Sequence, residues 1–265
     1  MAVTTKQLFQ RSNFSGRAWL TWGLMALEFL AVYELAWRGG LWVLAVAVIA
    51  AVELRGFAGD GHGLPSAKRA EVLWQCLPGL IMGLSVTLIV AMVPRHATQI
   101  VAALLYAAWL AWRERELAGS PTPLVQALLV QAVMFEAIFL LAAVWQVPGW
   151  MILILVWAGA YLGVYGAMTQ RGDRSAGVMA ATWGVVATEV AWVLMLWLIT
   201  YTMTGGYILV PQPALILTAL AYIFGSILTS SRQGNLSRAR LSEYMVIALI
   251  LVAIVVFGTS WRGNI

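Results

Sequence analysis

Residues 124–145, LVQALLVQAVMFEAIFLLAAVW, decide the fold class, because 22 consecutive positions contain a single charged side chain. A helix that crosses the hydrocarbon core of a bilayer needs about 20 mostly apolar residues. Only Glu136 and two glutamines interrupt the run of Leu, Val, Ala and Phe. The stretch is therefore predicted to be a membrane-spanning helix with a carboxyl group near its centre.

Eight further stretches have a similar apolar character. The chain has 265 residues, of which 62% are hydrophobic and 10% charged, and a soluble domain needs more polar surface than this. We therefore predict an all-α fold, a polytopic integral membrane helical bundle that forms a single membrane domain over residues 1–265. The predicted spans are 17–37, 40–54, 72–93, 97–112, 124–145, 149–168, 177–202, 208–229 and 242–260.

The distribution of Lys and Arg predicts the orientation of these spans. With a cytoplasmic N-terminus, the inward segments contain 13 of the 16 basic residues, and the outward ones contain Arg38, Arg95 and Arg262. Basic residues in short loops favour the cytoplasmic side. We predict a multi-pass inner-membrane protein with its N-terminus in the cytoplasm and its C-terminus outside. Because the basic residues are explained as topology signals, no nucleic-acid partner is expected.

Composition adds two smaller predictions. Arginine far exceeds lysine and alanine is abundant, which indicates a bacterial source. Most of the 14 tryptophans lie near predicted span ends, where an indole ring prefers the headgroup level. The lipid bilayer is thus the first expected partner, and other membrane subunits are a further possible partner.

Short outward loops alternate with longer inward loops, which predicts hairpins. Four hairpin repeats are expected at 17–54, 72–112, 124–168 and 177–229, followed by the last span, 242–260. The segments TWGLMALE (21–28) and TWGVVATE (182–189) are identical at five of eight positions, and each lies in the first helix of a hairpin. This placement favours an internal repeat, as in many transporters.

Glu28, Glu136 and Glu189 are the main candidate site residues, since each lies inside a predicted span. A charged group at the bilayer centre costs about 2.5–3.5 kcal/mol on insertion scales. No Lys, Arg or His lies in a span interior. Each carboxyl is expected to be neutral and hydrogen-bonded, to exchange protons, or to bind a cation, and matching positions suggest one shared interior. Further proton- or cation-binding candidates, at helical spacings from these acids, are Thr21, Thr182 and Gln131.

Two small-residue motifs predict close helix packing within the chain. Gly79 and Gly83 belong to GLIMG, and Gly159 and Gly163 belong to GAYLG. Glycines four apart let two helix backbones approach each other. One cysteine and two histidines in opposite loops give no metal site. No cofactor is predicted, although apolar grooves leave room for a bound lipid.

Three functions fit these observations. The first is a transporter or channel-like protein in which the glutamates handle protons or cations, and in which Pro211 and Pro213 break the eighth span. The second is a non-catalytic subunit of a respiratory, secretion or envelope complex that binds lipid, quinone or pigment. The third is an enzyme acting on a lipid or isoprenoid. No catalytic motif is present, so enzyme activity ranks last, and transport ranks narrowly ahead of the subunit hypothesis.

Overall fold

The structure of the chain is a computed structural model. The described residues are 18–38, 40–60, 66–93, 96–117, 123–169, 175–203, 208–232 and 237–258.

Within these ranges the chain forms nine α-helices, one π-helical segment and two short strands, so the all-α class is confirmed. The helices follow the apolar runs of the sequence, and polar or glycine-containing segments separate them. The elements are α1 (Ala18–Leu30), the π-helix (Ala31–Arg38), α2 (Trp42–Asp60), α3 (Ser66–Met92), α4 (His96–Leu117), α5 (Pro123–Trp145), α6 (Gly149–Thr169), α7 (Ala176–Met195), β1 (Thr200–Met203), β2 (Ile208–Pro211), α8 (Gln212–Arg232) and α9 (Arg238–Gly258).

Three of these helices are long and apolar enough to cross a membrane by length and composition. They are α5, over Val125–Trp145, together with α6 and α7. Among the residues that the structure describes, shorter apolar helical stretches of 10–17 residues lie in α2, α3, α4 and α8. The three long helices are compatible with a membrane protein.

Two predicted span boundaries are wrong: the C-terminal end of the seventh span, 177–202, and the N-terminal end of the eighth span, 208–229. Helix α7 ends at Met195, and β1 pairs with β2 in antiparallel fashion, with Thr200 opposite Pro211. The Ile208 backbone lies opposite Met203, and the two strands are rich in β-branched residues and tyrosine, which favour extended backbone. Helices α7 and α8 are therefore shorter than the predicted spans, and a β-hairpin connects them.

The two prolines near residue 212 border a helix and do not break one. Pro211 ends β2, and Pro213 is the second residue of α8. Proline is tolerated in the first turn of a helix, because the amide hydrogen that it lacks would have no partner there. The backbone amide of Gln212 donates to the Ile199 carbonyl at 2.8 Å, which fixes the start of α8 against the base of the hairpin. Within the predicted span 208–229, the helix is continuous from Gln212 onwards, and residues 208–211 form β2.

The buried apolar residues form two clusters. The N-terminal cluster lies among α1, the π-helix, α2, α3, α4 and the first half of α5, and includes Val32, Ile49 and Tyr106. The C-terminal cluster lies among α3, α5, α6, α7 and α8, and includes Phe139 and Val156. Helices α3 and α5 contribute to both clusters, and so these two helices connect the halves of the chain.

Helix α6 packs between α5 and α7 through glycine. A Cβ atom built on Gly159 would overlap the side chain of Met134 on α5. A Cβ atom on Gly184 of α7 would lie 3.1 Å from Nε1 of Trp157 on α6. Larger residues at these two positions would push the helices apart, because the neighbouring side chains already occupy the space.

Candidate functional site

Glu28 is buried in the N-terminal cluster and faces α4. Its side chain is 2% exposed, and the hydroxyl of Tyr106 donates to its Oε2 at 3.4 Å. The neighbouring core residues Val32 and Ile49 are fully buried, so the carboxyl lies in apolar surroundings. A polar group in such a place needs a hydrogen bond to offset its lost hydration. The Glu28–Tyr106 bond therefore connects α1 to α4 within the core.

Gly83 of α3 lies beside the same pair. A Cβ atom there would overlap Ile49 and would lie 3.1 Å from the Tyr106 hydroxyl. The hydroxyl of Thr87 donates to the Gly83 carbonyl at 2.8 Å, so the polar atoms on this part of α3 bond within their own helix. Gly79, the other glycine of the motif, is also buried. The packing at Gly83 holds Tyr106 close to Glu28.

Glu136 lies on α5 between two buried neighbours, Phe135 and Ala137, but is itself half-buried. It is seven positions after Leu129, so both side chains lie on the same, partly exposed side of the helix. It makes no hydrogen bond to any other residue that the structure describes. Glu136 is thus a carboxyl at the margin of the core, away from the Glu28–Tyr106 bond.

Glu189 is exposed on α7. It lies in a stripe of apolar side chains at helical spacing, which we call the α7 stripe: Val185, Val186, Glu189, Trp192 and Val193. Trp192 is 60% exposed, and the three valines are between 42% and 50% exposed. Because α7 ends at Met195, Glu189 lies about 9 Å from the end of its helix. The stripe presents one carboxyl on an otherwise apolar surface.

Two threonines were predicted to share faces with these acids. Thr182 is exposed, as is Glu189 seven positions later, and its hydroxyl donates to the Val178 carbonyl of the same helix at 3.0 Å. Thr21 lies in α1, and its side chain is outside the described part of the chain. The Thr182 hydroxyl is therefore engaged within α7.

The three glutamates lie in three different surroundings. Glu28 is buried against α4, Glu136 is half-buried on α5, and Glu189 is exposed on α7. Among the described residues, no hydrogen bond joins any two of them, and none of them lines either of the two clefts beside α5. The arrangement offers three separate carboxyl environments, not one polar interior.

Gln131 lies in a small cleft of the described structure. We call this the Gln131 cleft; it lies between α5, α6 and α8, is half-open, and has a volume of about 40 Å³. The Gln131 side chain is 3% exposed and lies directly against Gly163, where a Cβ atom would overlap it. It makes no hydrogen bond to another described residue. A second, smaller cleft on the α3 side of the same helix pair is lined by Gln126.

Two polar residues of α4 escaped the sequence analysis. Tyr106 is the partner of Glu28, and Gln99 is buried with its Nε2 donating to the carbonyls of Val90 and Val93 at 3.1 and 2.7 Å. Both carbonyls belong to the end of α3, which lacks intrahelical donors for its last turn. The signal was present in the sequence, since Gln99 and Tyr106 are two of the few hydrogen-bonding side chains in the predicted span 97–112.

No group of three or more His, Cys, Asp or Glu residues that could hold a metal ion occurs in the described ranges. Comparison of the chain with family models, with curated proteins and with solved structures finds no match.

Proposed function

We propose that the chain is a multi-pass protein of a bacterial inner membrane and acts as a non-catalytic subunit of a larger membrane assembly. The assembly would be a respiratory, secretion or envelope complex. The observation that supports this proposal most directly is the α7 stripe, in which Glu189 lies exposed among Val186, Trp192 and Val193. A surface of this kind faces either lipid or another protein.

A carboxyl exposed to hydrocarbon is unfavourable, whether it is charged or neutral. Acidic residues within membrane spans accordingly face protein or water and find a polar partner there. The α7 stripe offers Glu189 no other charged or amide side chain, so we infer that its partner is supplied by another protein. A polar group of a second membrane subunit, seated against the α7 stripe, meets this requirement and can add a hydrogen bond between helices.

Site-specific photo-crosslinking in native membranes tests this proposal. A photoreactive residue at Val186 is expected to give a protein adduct of defined mass, and the substitution Glu189→Leu is expected to weaken it several-fold. The matched control is Leu105 on α4, which is 66% exposed in an apolar face without an acid. Lipid adducts alone from both positions, or an adduct at Val186 that survives Glu189→Leu unchanged, would contradict the proposal.

The orientation is part of the same proposal. Thirteen of 16 basic residues lie in the segments assigned to the cytoplasm, and this excess supports a cytoplasmic N-terminus and an outer C-terminus over nine spans. We expect alkaline phosphatase fused after residue 265 to be active and a fluorescent protein fused there to be dark. The opposite pattern would require an even number of spans or an outer N-terminus.

A transporter that uses Glu136 is the second candidate function. One observation favours it, namely a half-buried carboxyl on α5 with no hydrogen bond to another described residue. Such a group is suited to exchanging a proton or binding a cation. In proteoliposomes, an ion flux that is abolished by Glu136→Gln and kept by Glu189→Gln would favour transport over the subunit function.

A further inference from the structure

The amide of Gln131 is a polar group beside an apolar cleft of the described structure. The side chain is 97% buried, it lines the Gln131 cleft, and no described residue bonds to it. An amide that faces apolar surroundings without a partner costs about 1–3 kcal/mol, so natural structures pair it with protein, water or ligand. The open side of the cleft is where such a partner can enter.

The walls of the cleft restrict the chemistry of that partner. Of the described residues that line it, Gln131 has the only hydrogen-bonding side chain, and the others include Val164, Ala221, Phe224 and Leu228. No charged side chain lines it, so a phosphate or other charged headgroup would lack the basic partner it requires. The walls fit hydrocarbon, and the amide fits one uncharged oxygen.

The depth of Gln131 restricts the partner further. It lies eight residues after Pro123 in a helix of 23, about 12 Å from one end and within about 5 Å of the helix centre. In a bilayer with a hydrocarbon core of about 30 Å, the headgroups and ester carbonyls of ordinary lipids lie near the edges of the core. The oxygen that reaches Gln131 must therefore belong to a molecule that dissolves in the hydrocarbon itself.

We propose that the Gln131 cleft binds an uncharged, lipid-soluble molecule whose carbonyl or hydroxyl oxygen hydrogen-bonds to the Gln131 amide. The volume of about 40 Å³ admits the oxygen and the first carbons, while the rest of the molecule extends through the open side. A single water is a poorer occupant, because buried waters usually have about three polar partners and this cleft offers one polar side chain. This inference rests on the membrane placement but not on the partner subunit.

The test uses the full chain, purified in detergent, and its melting temperature in the presence of three probes of similar chain length. They are a decyl-substituted benzoquinone, which offers carbonyls, dodecanol, which offers a hydroxyl, and dodecane, which offers neither. We expect one or both oxygenated probes to raise the melting temperature. Gln131→Leu should weaken that binding about tenfold, the usual worth of one hydrogen bond, and should leave the dodecane response unchanged.

Two further variants keep the test decisive. Gln126→Leu, on the same helix but lining the neighbouring cleft, should bind the probes as the unaltered chain does. Gly225→Leu fills the α8 side of the Gln131 cleft. It should abolish binding by blocking the cleft, although the Gln131 amide is still present. A response to the quinone alone identifies a carbonyl ligand, and a response to dodecanol alone identifies a hydroxyl ligand.

Three results would overturn the inference. They are no stabilisation of the unaltered chain by either oxygenated probe, equal binding by Gln131→Leu, or a density map in which Gln131 contacts only water. Because the isolated chain is used, failure of this test leaves the proposed subunit function untouched, and failure of the crosslinking experiment leaves the cleft untouched.

Discussion

The segments TWGLMALE (21–28) and TWGVVATE (182–189) have matching sequences but present opposite faces to the protein core. In the first, Glu28 is buried and Gly23 is exposed, with nothing within 4 Å of a Cβ atom built on it. In the second, Gly184 is buried against Trp157 and Glu189 is exposed. Residues five apart lie about 140° apart around a helix, so a helix that buries one of them turns the other outward.

The neighbouring helices decide which face is buried. Helix α4 supplies the Tyr106 hydroxyl, so α1 can bury its carboxyl with a hydrogen bond. Helix α6 supplies Trp157, a broad side chain whose space only a glycine on α7 leaves free. The shared motif sets the spacing of a glycine and an acid along a helix. The neighbouring helix determines which of the two is buried and which is exposed.

The largest difference between the two segments is expected on truncation of the acids. Glu28→Ala removes a buried side chain and its bond to Tyr106, which should lower the free energy of unfolding by about 2–4 kcal/mol, as for other large-to-small core changes. Glu189→Ala removes an exposed side chain and should leave the unfolding of the isolated chain unchanged. Reversible unfolding in mild detergent measures both, and equal losses would show that the two acids have similar surroundings.

The glycines are expected to respond in the reverse order. Gly184→Leu forces atoms into the space that Trp157 occupies, and overpacking of this kind costs about 1–3 kcal/mol. Gly23→Leu adds a side chain where the described structure has open space, and should not destabilise the chain. Melting temperatures of the two variants provide the measurement. A loss at Gly23 as large as that at Gly184 would contradict the opposed faces.

Removing the Tyr106 hydroxyl should have a smaller effect. Tyr106→Phe keeps the ring in the N-terminal cluster and loses one long hydrogen bond to Glu28, which corresponds to about 0.5–1.5 kcal/mol. A double-mutant cycle with Glu28→Gln measures the coupling between the two groups. Strictly additive effects in the cycle would show that the pair does not interact in the folded chain.

Most helices of this fold could be predicted from apolar length alone. The run at 124–145 became α5, with one further residue at its start, and the run at 149–168 became α6. The hairpin at 200–211 was missed because Ile208–Pro211 is as apolar as a helix and because Thr200–Met203 was assigned to the end of the preceding apolar run. A hydrophobicity profile shows where an apolar run lies and how long it is. A short apolar run alone does not distinguish a helix from a strand.

The site was less predictable than the fold. Sequence spacing identified Glu28, Glu136, Glu189 and Gln131 as polar groups in apolar helices, but it could not tell which side of each helix would be buried. The partner of Glu28 lies 78 residues away in the chain, on a helix with no motif that marks it. The Gln131 cleft requires three helices to converge, and that convergence depends on tertiary packing.

The smallest effect in the comparison is expected at Thr182, the first residue of the second segment. Its exposed hydroxyl donates to the Val178 carbonyl of its own helix, and such a bond adds little to the stability of a helix. Thr182→Val should therefore leave both the melting temperature and the yield of the Val186 photo-adduct unchanged. Glu189→Leu should leave the melting temperature unchanged but reduce the yield of the photo-adduct several-fold. If Thr182→Val also removed the adduct, the partner would recognise the polar residues of the whole exposed face, and the role assigned to Glu189 alone would have to be extended to Thr182.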